Sequence, residues 1–441
     1  MAGISMSGPV RTEVRPFQGI RYDTALCGDL ASVLCPPYDI ISERQQRELY
    51  ARSPYNMIRL EYPLSSGEGN AGESSKYEIA GRTFREWMQL GVLRRDIQPA
   101  MYVHDHVFRY RGTRHVRRGL VARVRLHPWY EGVYPHEMTA TKAKEDRLQL
   151  MRACGASCSG PLGLYEDRDG LIAEALERGT RSDPLADVAG DDERHVFWAI
   201  DEPGLLTDIE AAFSGESIYV ADGHHRYETA LVYQEERRAA GPVVRDDCAQ
   251  PYDHVVMTLT GFSDPGLFIS PVYRVLAGAE LPDAAEIESR LSRFFTVDYV
   301  PMEIALARSV PVGEMALMAV VGLRDGMLAE LRQRPEVDPG SEVPGEHSSE
   351  YRSFNVSILN HVVMSKLLGV NPDGDFVSYS PDLEEVVGNV QEGRAQVAFL
   401  LAPPRPSLVK GIADQMERMP RKSTYFYPKP PTGLVVNPLL D

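Results

Sequence analysis

Two hydrophobic periods run through the chain. Over residues 75–90 the apolar positions Tyr77, Ala80, Phe84, Trp87 and Met88 recur at helical spacing, and Gly91 follows as a stop. Met101–Tyr110 (MYVHDHVFRY) and residues 120–126 (LVARVRL) read as paired strands, joined through a turn at Arg111-Gly112-Thr113. Residues 55–62 (YNMIRLEY) also read as a strand. A helix is expected over 144–153, ended by Gly155, and a polar loop over 183–193. Further on, a strand at 217–221 (SIYVA) runs into an amphipathic helix from Arg226 to about Arg238. Residues 332–352, rich in Pro, Gly, Ser and Glu, read as a mobile insertion, after which globular pattern returns. No apolar run approaches the roughly 20 residues of a membrane span, and no solenoid-period repeat is visible.

Composition narrows the function classes. The 441 residues are 43% hydrophobic and 25% charged, which is globular composition. Asp and Glu number 63 against 47 Lys and Arg, a net charge of -16. Extended polyanions and anionic membranes need a basic face, so nucleic acid and membrane partners are not expected, while a local basic pocket remains allowed. The N-terminus lacks the apolar core of a signal peptide. Five cysteines in so long a chain suggest reduced thiols and a cytoplasmic location. Cys154 and Cys158 alone make a poor metal site.

The sharpest local feature is Asp222-Gly223-His224-His225-Arg226 (DGHHR), between the 217–221 strand and the following helix. The chain must turn there, and Gly223 permits unusual dihedrals. Backbone N–H groups at a helix start carry the positive end of the helix dipole and suit phosphate. His224, His225 and Arg226 add donors, and a guanidinium can take two phosphate oxygens at once. Asp222 is placed to hold Mg²⁺ or orient a hydroxyl. Read as structure alone, Asp222 merely caps the helix.

A second constellation spans 134–147 (YPHEMTATKAKEDR). His136 and Glu137 can supply a general acid or base, and Lys144 and Arg147 can neutralise phosphate, with Asp146 between them. A metalloprotease signature fails, because Ala140 stands where a second His is needed. A third set, Lys422-Ser423-Thr424 before Tyr425-Phe426-Tyr427-Pro428-Lys429, is phosphate-compatible but reads as a packed strand. Gly67-Glu68-Gly69-Asn70-Ala71-Gly72 matches GxGxxG, yet lacks the strand that should enter its first Gly and reads as a surface loop. His104 and His106 share one strand face, but no third metal ligand is identifiable along the sequence.

Taken together, these stretches resemble the domain of unknown function 1015 family of bacterial and archaeal proteins. The matching pieces are residues 15–22 (RPFQGIRY), 33–40 (VLCPPYDI), 56–61 (NMIRLE), 136–147, 219–230 (YVADGHHRYETA), 264–267 (DPGL) and 419–435 (MPRKSTYFYPKPPTGLV). Two places depart from the family pattern. Pro271-Val272-Tyr273-Arg274 replaces a Pro-Thr-His-Arg run, and residues 156–161 replace Asn-x-Ser-Pro. A more distant resemblance links DGHHR to the phosphate-binding strand–turn–helix of the ParB/sulfiredoxin-like fold, which includes ADP-dependent free-serine kinases.

The resemblances imply an α+β fold. A mixed-sheet ParB/sulfiredoxin-like core would occupy residues 1–280, and a C-terminal α/β region residues 281–441. They imply a phosphotransferase taking a phosphoryl group from ADP or ATP, with Mg²⁺, to a small hydroxyl metabolite. Gly223, His224, His225, Arg226, Lys144 and Arg147 would hold phosphate; Asp222 would sit near the transferred group or metal; His136 or Glu137 would act as base. Asp146, Lys422, Ser423 and Thr424 are secondary candidates. The rival reading is a ParB-like nucleotide sensor without catalysis. A ParB-like DNA binder is disfavoured by the acidic charge, and a sulfiredoxin-like role by His224 standing where a Cys is needed.

Overall fold

The two-residue turn at Arg111 and Gly112 has positive φ at both positions (51° and 79°), the twist-matched geometry of a tight hairpin. That hairpin is the middle of a large sheet in the computed structural model. The structure describes residues 12–64, 75–139, 141–190, 192–241, 249–308, 312–313 and 316–440, without the side chains of 141–143. The GxGxxG stretch at 67–72 therefore lies outside the described residues. The chain divides into two units, the first from residues 1–135, 139–267 and 428–441, the second from 136–138 and 268–427.

In the first unit, nine strands form one sheet. They are β1 (Val14–Arg15), β2 (Met101–Tyr110), β3 (Thr113–Arg125), β4 (Val133–Pro135), β5 (Leu162–Tyr165), β6 (Ala186–Ala189), β7 (Glu193–Ile200), β8 (Ile218–Asp222) and β9 (His254–Gly261). Their order is β4-β8-β5-β9-β3-β2-β7-β6, with β1 also on β3. β8 runs parallel to β4 and β9 parallel to β5, while the other pairs are antiparallel, so the sheet is mixed. The helices used below are α1 (Ile58–Glu61), α2 (Lys76–Gln89), α3 (Thr141–Cys154), α4 (Leu171–Gly179), α5 (Pro203–Phe213) and α6 (His224–Ala240), beside the helix Glu43–Arg52 and short helical turns. The class is α+β with a mixed sheet.

Strand parity assigns the two faces. Met101 and Val103 of β2 join Leu120, Ala122, Ile172, Ile209 and Tyr227 in the core under the helices. Tyr102 points the other way and packs with Phe17, Phe197, Val256 and Val435. Three expectations need correcting. Residues 55–62 are not a strand: Asn56 donates to the carbonyls of Ser32 and Leu34 and accepts from the Ile58 N–H, which turns the chain into α1. This long-range anchor outweighs local β-propensity. The 183–193 loop contains β6, an edge strand whose only sequence signal is short. The helix after DGHHR begins at His224, not Arg226. By contrast, α2 fits its expected period, and Ser75 caps it reciprocally with Glu78.

The second unit holds a six-stranded antiparallel sheet, in the order Phe295–Pro301, Met327–Gln333, Met318–Val321, Val397–Leu401, Tyr273–Leu276 and Val377–Ser380. The helix Leu383–Gln391 lays Val386 and Val387 into its core with Val275, Leu328 and Leu400. Residues 332–352 contain a turn of 3₁₀ helix (Pro339–Glu342) and a short helix (Ser349–Ser353). There Arg352 donates to the carbonyls of Gly340, Val343 and His347. Among the described residues, no helix is long and apolar enough to cross a membrane.

Candidate functional site

β8 ends at Asp222, and its register against β5 shifts between Val220 and Asp222. Such an irregularity re-aims the side chain that follows it. Gly223 then takes φ 87°, ψ 30°, and α6 starts. A Cβ at Gly223 would lie 2.7 Å from Nε of Arg226, so the turn needs glycine for space as well as for its backbone angle.

Arg226 folds back over this turn. Its Nη1 donates to the Gly160 carbonyl at 2.6 Å, and its Nη2 to Oδ2 of Asp222. The other carboxylate oxygen, Oδ1, accepts from Lys429 Nζ at 2.8 Å. Lys429 also pairs with Asp39. The side chains are 19% (Asp222), 11% (Arg226) and 7% (Lys429) exposed. Burial alone would raise the Asp222 carboxyl, but Lys429 and Arg226 hold it far below the usual range. Burial likewise opposes the Lys429 charge, and Asp222 and Asp39 more than restore it. All three groups are therefore ionised at neutral pH.

A second buried cation lies in the same unit. Arg147 donates to the Glu61 carbonyl at 2.7 Å, approaches the Glu61 carboxylate at 3.6 Å and sits 3.9 Å over the Tyr38 ring. Glu61 also accepts from Ser159 Oγ at 2.8 Å. Two pockets meet at Arg226. One is lined by Glu61, Arg147, Cys158, Ser159 and Thr229 among others. The other is lined by His104, Gly160, Thr258, Pro430 and Pro431, and shares Arg226, Cys158 and Ser159 with the first. Burial pushes the Cys158 thiol well up, which keeps it protonated and a weak nucleophile.

The remaining sequence-derived candidates divide between the units. His224 is buried with its ring 6.3 Å from Trp129, and His225 is half-buried. Lys144 pairs with Glu228 at 3.0 Å, and Asp146 takes Lys76 at 2.6 Å and Arg147. Burial would raise the Asp146 carboxyl, but Arg147 and Lys76 bring it down to about 2. His136 and Glu137 belong to the second unit with Lys422, Ser423 and Thr424. There His136 Nε2 meets Thr424 Oγ1 at 2.9 Å, and Glu137 Oε1 accepts from the Lys422 N–H at 2.9 Å. Ser423 is buried and donates to the Pro420 carbonyl. The structure thus splits the second sequence constellation: His136 and Glu137 meet the third, while Arg147 lies with Asp222–Arg226 in the first unit.

The Asp222 carboxylate is a poor fit for Mg²⁺ as it stands. Both of its oxygens already take a cation, Arg226 on one and Lys429 on the other. A hard divalent cation needs free carboxylate oxygen.

The sequence pattern of the family described as "protein of unknown function (DUF1015)" matches residues 14–357. The chain belongs to the DUF1015 family. No curated protein matches it. Among solved structures, this DUF1015 chain is similar to a conserved hypothetical protein from Pyrococcus furiosus, with 13% identity over 67% of this chain and 87% of that one, at a TM-score of 0.29. It is similar to a free serine kinase in complex with AMP, with 14% identity over 67% and 83%, at 0.31. It is also similar to C-terminally truncated SbnI from Staphylococcus aureus, with 12% identity over 69% and 84%, at 0.33. Overlays this loose carry neither fold nor function to the DUF1015 chain. Sequence reasoning had passed over Asp39, Glu61, Ser159 and Lys429. All but Ser159 lie inside the stretches CPPYDI, NMIRLE and YPKPP that carry the family resemblance, which was the available signal.

Proposed function

We propose that this chain is a cytoplasmic phosphotransferase that moves a phosphoryl group from ADP or ATP to a small hydroxyl metabolite. The reading is supported by one observation above others: family-matching stretches far apart in sequence supply Asp39, Glu61, Arg147, Asp222, Arg226 and Lys429 to the first unit, and three of these residues line the pocket at Arg226. Phosphoryl transfer asks mainly for positioning and neutralisation of charge. Buried guanidinium and ammonium groups, pre-charged by their carboxylate partners, meet that demand. Phosphate oxygens would compete with the Asp222 carboxylate for donors of Arg226 and Lys429. Arg147 would face the transferred group, with Lys144 engaged by Glu228. The acceptor hydroxyl gives its proton to a carboxylate or imidazole as its oxygen bonds phosphorus and the bond to the nucleotide breaks. His136 and Glu137 are proposed for that role from the resemblance, and Glu61 from its place in the pocket. No step is assigned to Mg²⁺.

One observation favours the rival reading of a nucleotide sensor: Lys429 and Arg226 hold the Asp222 carboxyl far below the usual range, which makes it a weak base. Purified chain incubated with ADP or ATP and a panel of small hydroxyl metabolites decides between them. Transfer of label to one metabolite, lost in Arg226→Met, supports the phosphotransferase. Nucleotide binding with no transfer across the panel supports the sensor.

A further inference from the structure

His104 and His106 stand on the same face of β2, and β7 lays His195 directly opposite His106. The sequence offered no third ligand for this pair, because β7 lies far along the chain. Glu193, two residues before His195 on the same strand, reaches the same spot. Its Oε2 is 2.7 Å from His106 Nε2 and 3.8 Å from His195 Nε2. One ligand atom from each of the three residues lies within 4.8 Å of the others.

We propose that His106, Glu193 and His195 form a three-ligand site for a borderline divalent cation of the Zn²⁺ class. Two imidazoles and one carboxylate are a common catalytic ligand set for that ion, with the fourth position left to water or substrate. Zn–N and Zn–O bonds of about 2.0–2.2 Å need ligand atoms roughly 3.3–3.6 Å apart, so Glu193 would draw back from His106 by about 0.6–0.9 Å and approach His195 by about 0.2–0.5 Å.

The surroundings support the assignment. His195 Nδ1 lies 3.1 Å from His104 Nε2, a second-layer contact that fixes the His195 ring and leaves its Nε2 toward Glu193. Burial keeps His104, His106 and His195 neutral, the form in which imidazole ligates a metal. Glu193 is 39% exposed on its side chain, which gives an ion a way in from solvent.

Arg117 opposes a cation here. Its Nη2 is 3.5 Å from His106 Nδ1 and 2.7 Å from the Pro428 carbonyl. Metal at His106 Nε2 moves that ring's proton to Nδ1 and breaks the longer, weaker contact, while the bond to Pro428 holds the guanidinium. Asp264 and Glu193 both offset the Arg117 charge.

The test uses the full chain stripped with chelator and titrated with Zn²⁺ against a chromophoric competitor. One tight Zn²⁺ per chain is expected. Glu193→Gln should weaken it at least tenfold, and His104→Ala about 10–100-fold through the lost second layer. Glu193 is partly exposed, so its variant should keep the wild-type melting profile and serve where a histidine variant unfolds. Replacing Zn²⁺ by Co²⁺ should give tetrahedral ligand-field bands without thiolate charge transfer. Equal affinity in wild type and Glu193→Gln, no uptake at all, or a thiolate band that moves the ion to the cysteines, would each overturn the site.

Discussion

The ammonium of Lys429 lies 2.8 Å from the carboxylate of Asp222, across 207 residues of chain. This contact joins the segment after KSTYF to the DGHHR turn, and it is almost closed to solvent. Lys429→Met leaves a buried carboxylate with Arg226 as its remaining strong partner. Losing one member of such a pair should destabilise the first unit by about 3 kcal/mol in denaturant titration. Lys429→Met combined with Asp222→Asn should cost less than the sum of the two single variants, because their mutual attraction is lost only once. Strict additivity in the double-mutant cycle would show that the two groups do not interact.

Gly223→Ala forces a side chain onto a backbone at φ 87° and against Arg226 Nε. A cost of about 1–3 kcal/mol is expected, together with weaker nucleotide binding as Arg226 is pushed aside. An alanine variant with wild-type stability and affinity would mean that the turn is not held as described.

His195 predicts a pH dependence. Burial lowers its pKa to about 4, with Arg117 adding to the effect and Glu193 opposing it. The free imidazole titrates near 6.5, so the unfolded chain binds more protons than the folded one between those values. Stability should be full above about pH 6.5 and fall toward pH 4, by about 3 kcal/mol from this residue. His195→Gln should flatten that slope in melts of the chelator-stripped chain collected across the range. A variant with the same slope as wild type would place the titration elsewhere.

The proton acceptor is decided by comparing Glu61→Gln with Glu137→Gln. The acceptor's variant should lose about 10²–10⁴ in kcat while the nucleotide Kd stays within a fewfold. The other variant should keep most of its turnover. Equal, small losses in both would exclude each as base and leave His136.

Much of the scaffold was legible in local pattern. The α2 helix follows from its 3.6-residue period and its Ser75–Glu78 cap, and the β2–β3 hairpin from strand runs around Arg111-Gly112. The DGHHR turn follows from a glycine between strand and helix. What escaped depends on distant partners. Asn56 bends an apparent strand into α1 through the carbonyls of Ser32 and Leu34. Lys429 looked like the tail of an aromatic strand until its partners Asp222 and Asp39 appeared. His195 and Glu193 sit opposite β2 only through strand register, which no local period encodes. The sequence singles out Arg226 for phosphate, but not its carboxylate partner Asp222 as a competitor for the same donors.

The most direct test is calorimetric titration of ADP and ATP into the full chain, its Arg226→Met variant and its Lys429→Met variant. Wild type should bind at least one of the two nucleotides, and each variant should bind it at least tenfold more weakly while still melting cooperatively. Undiminished nucleotide binding in folded Arg226→Met, or no binding by wild type, would contradict the assignment of this turn to nucleotide phosphate.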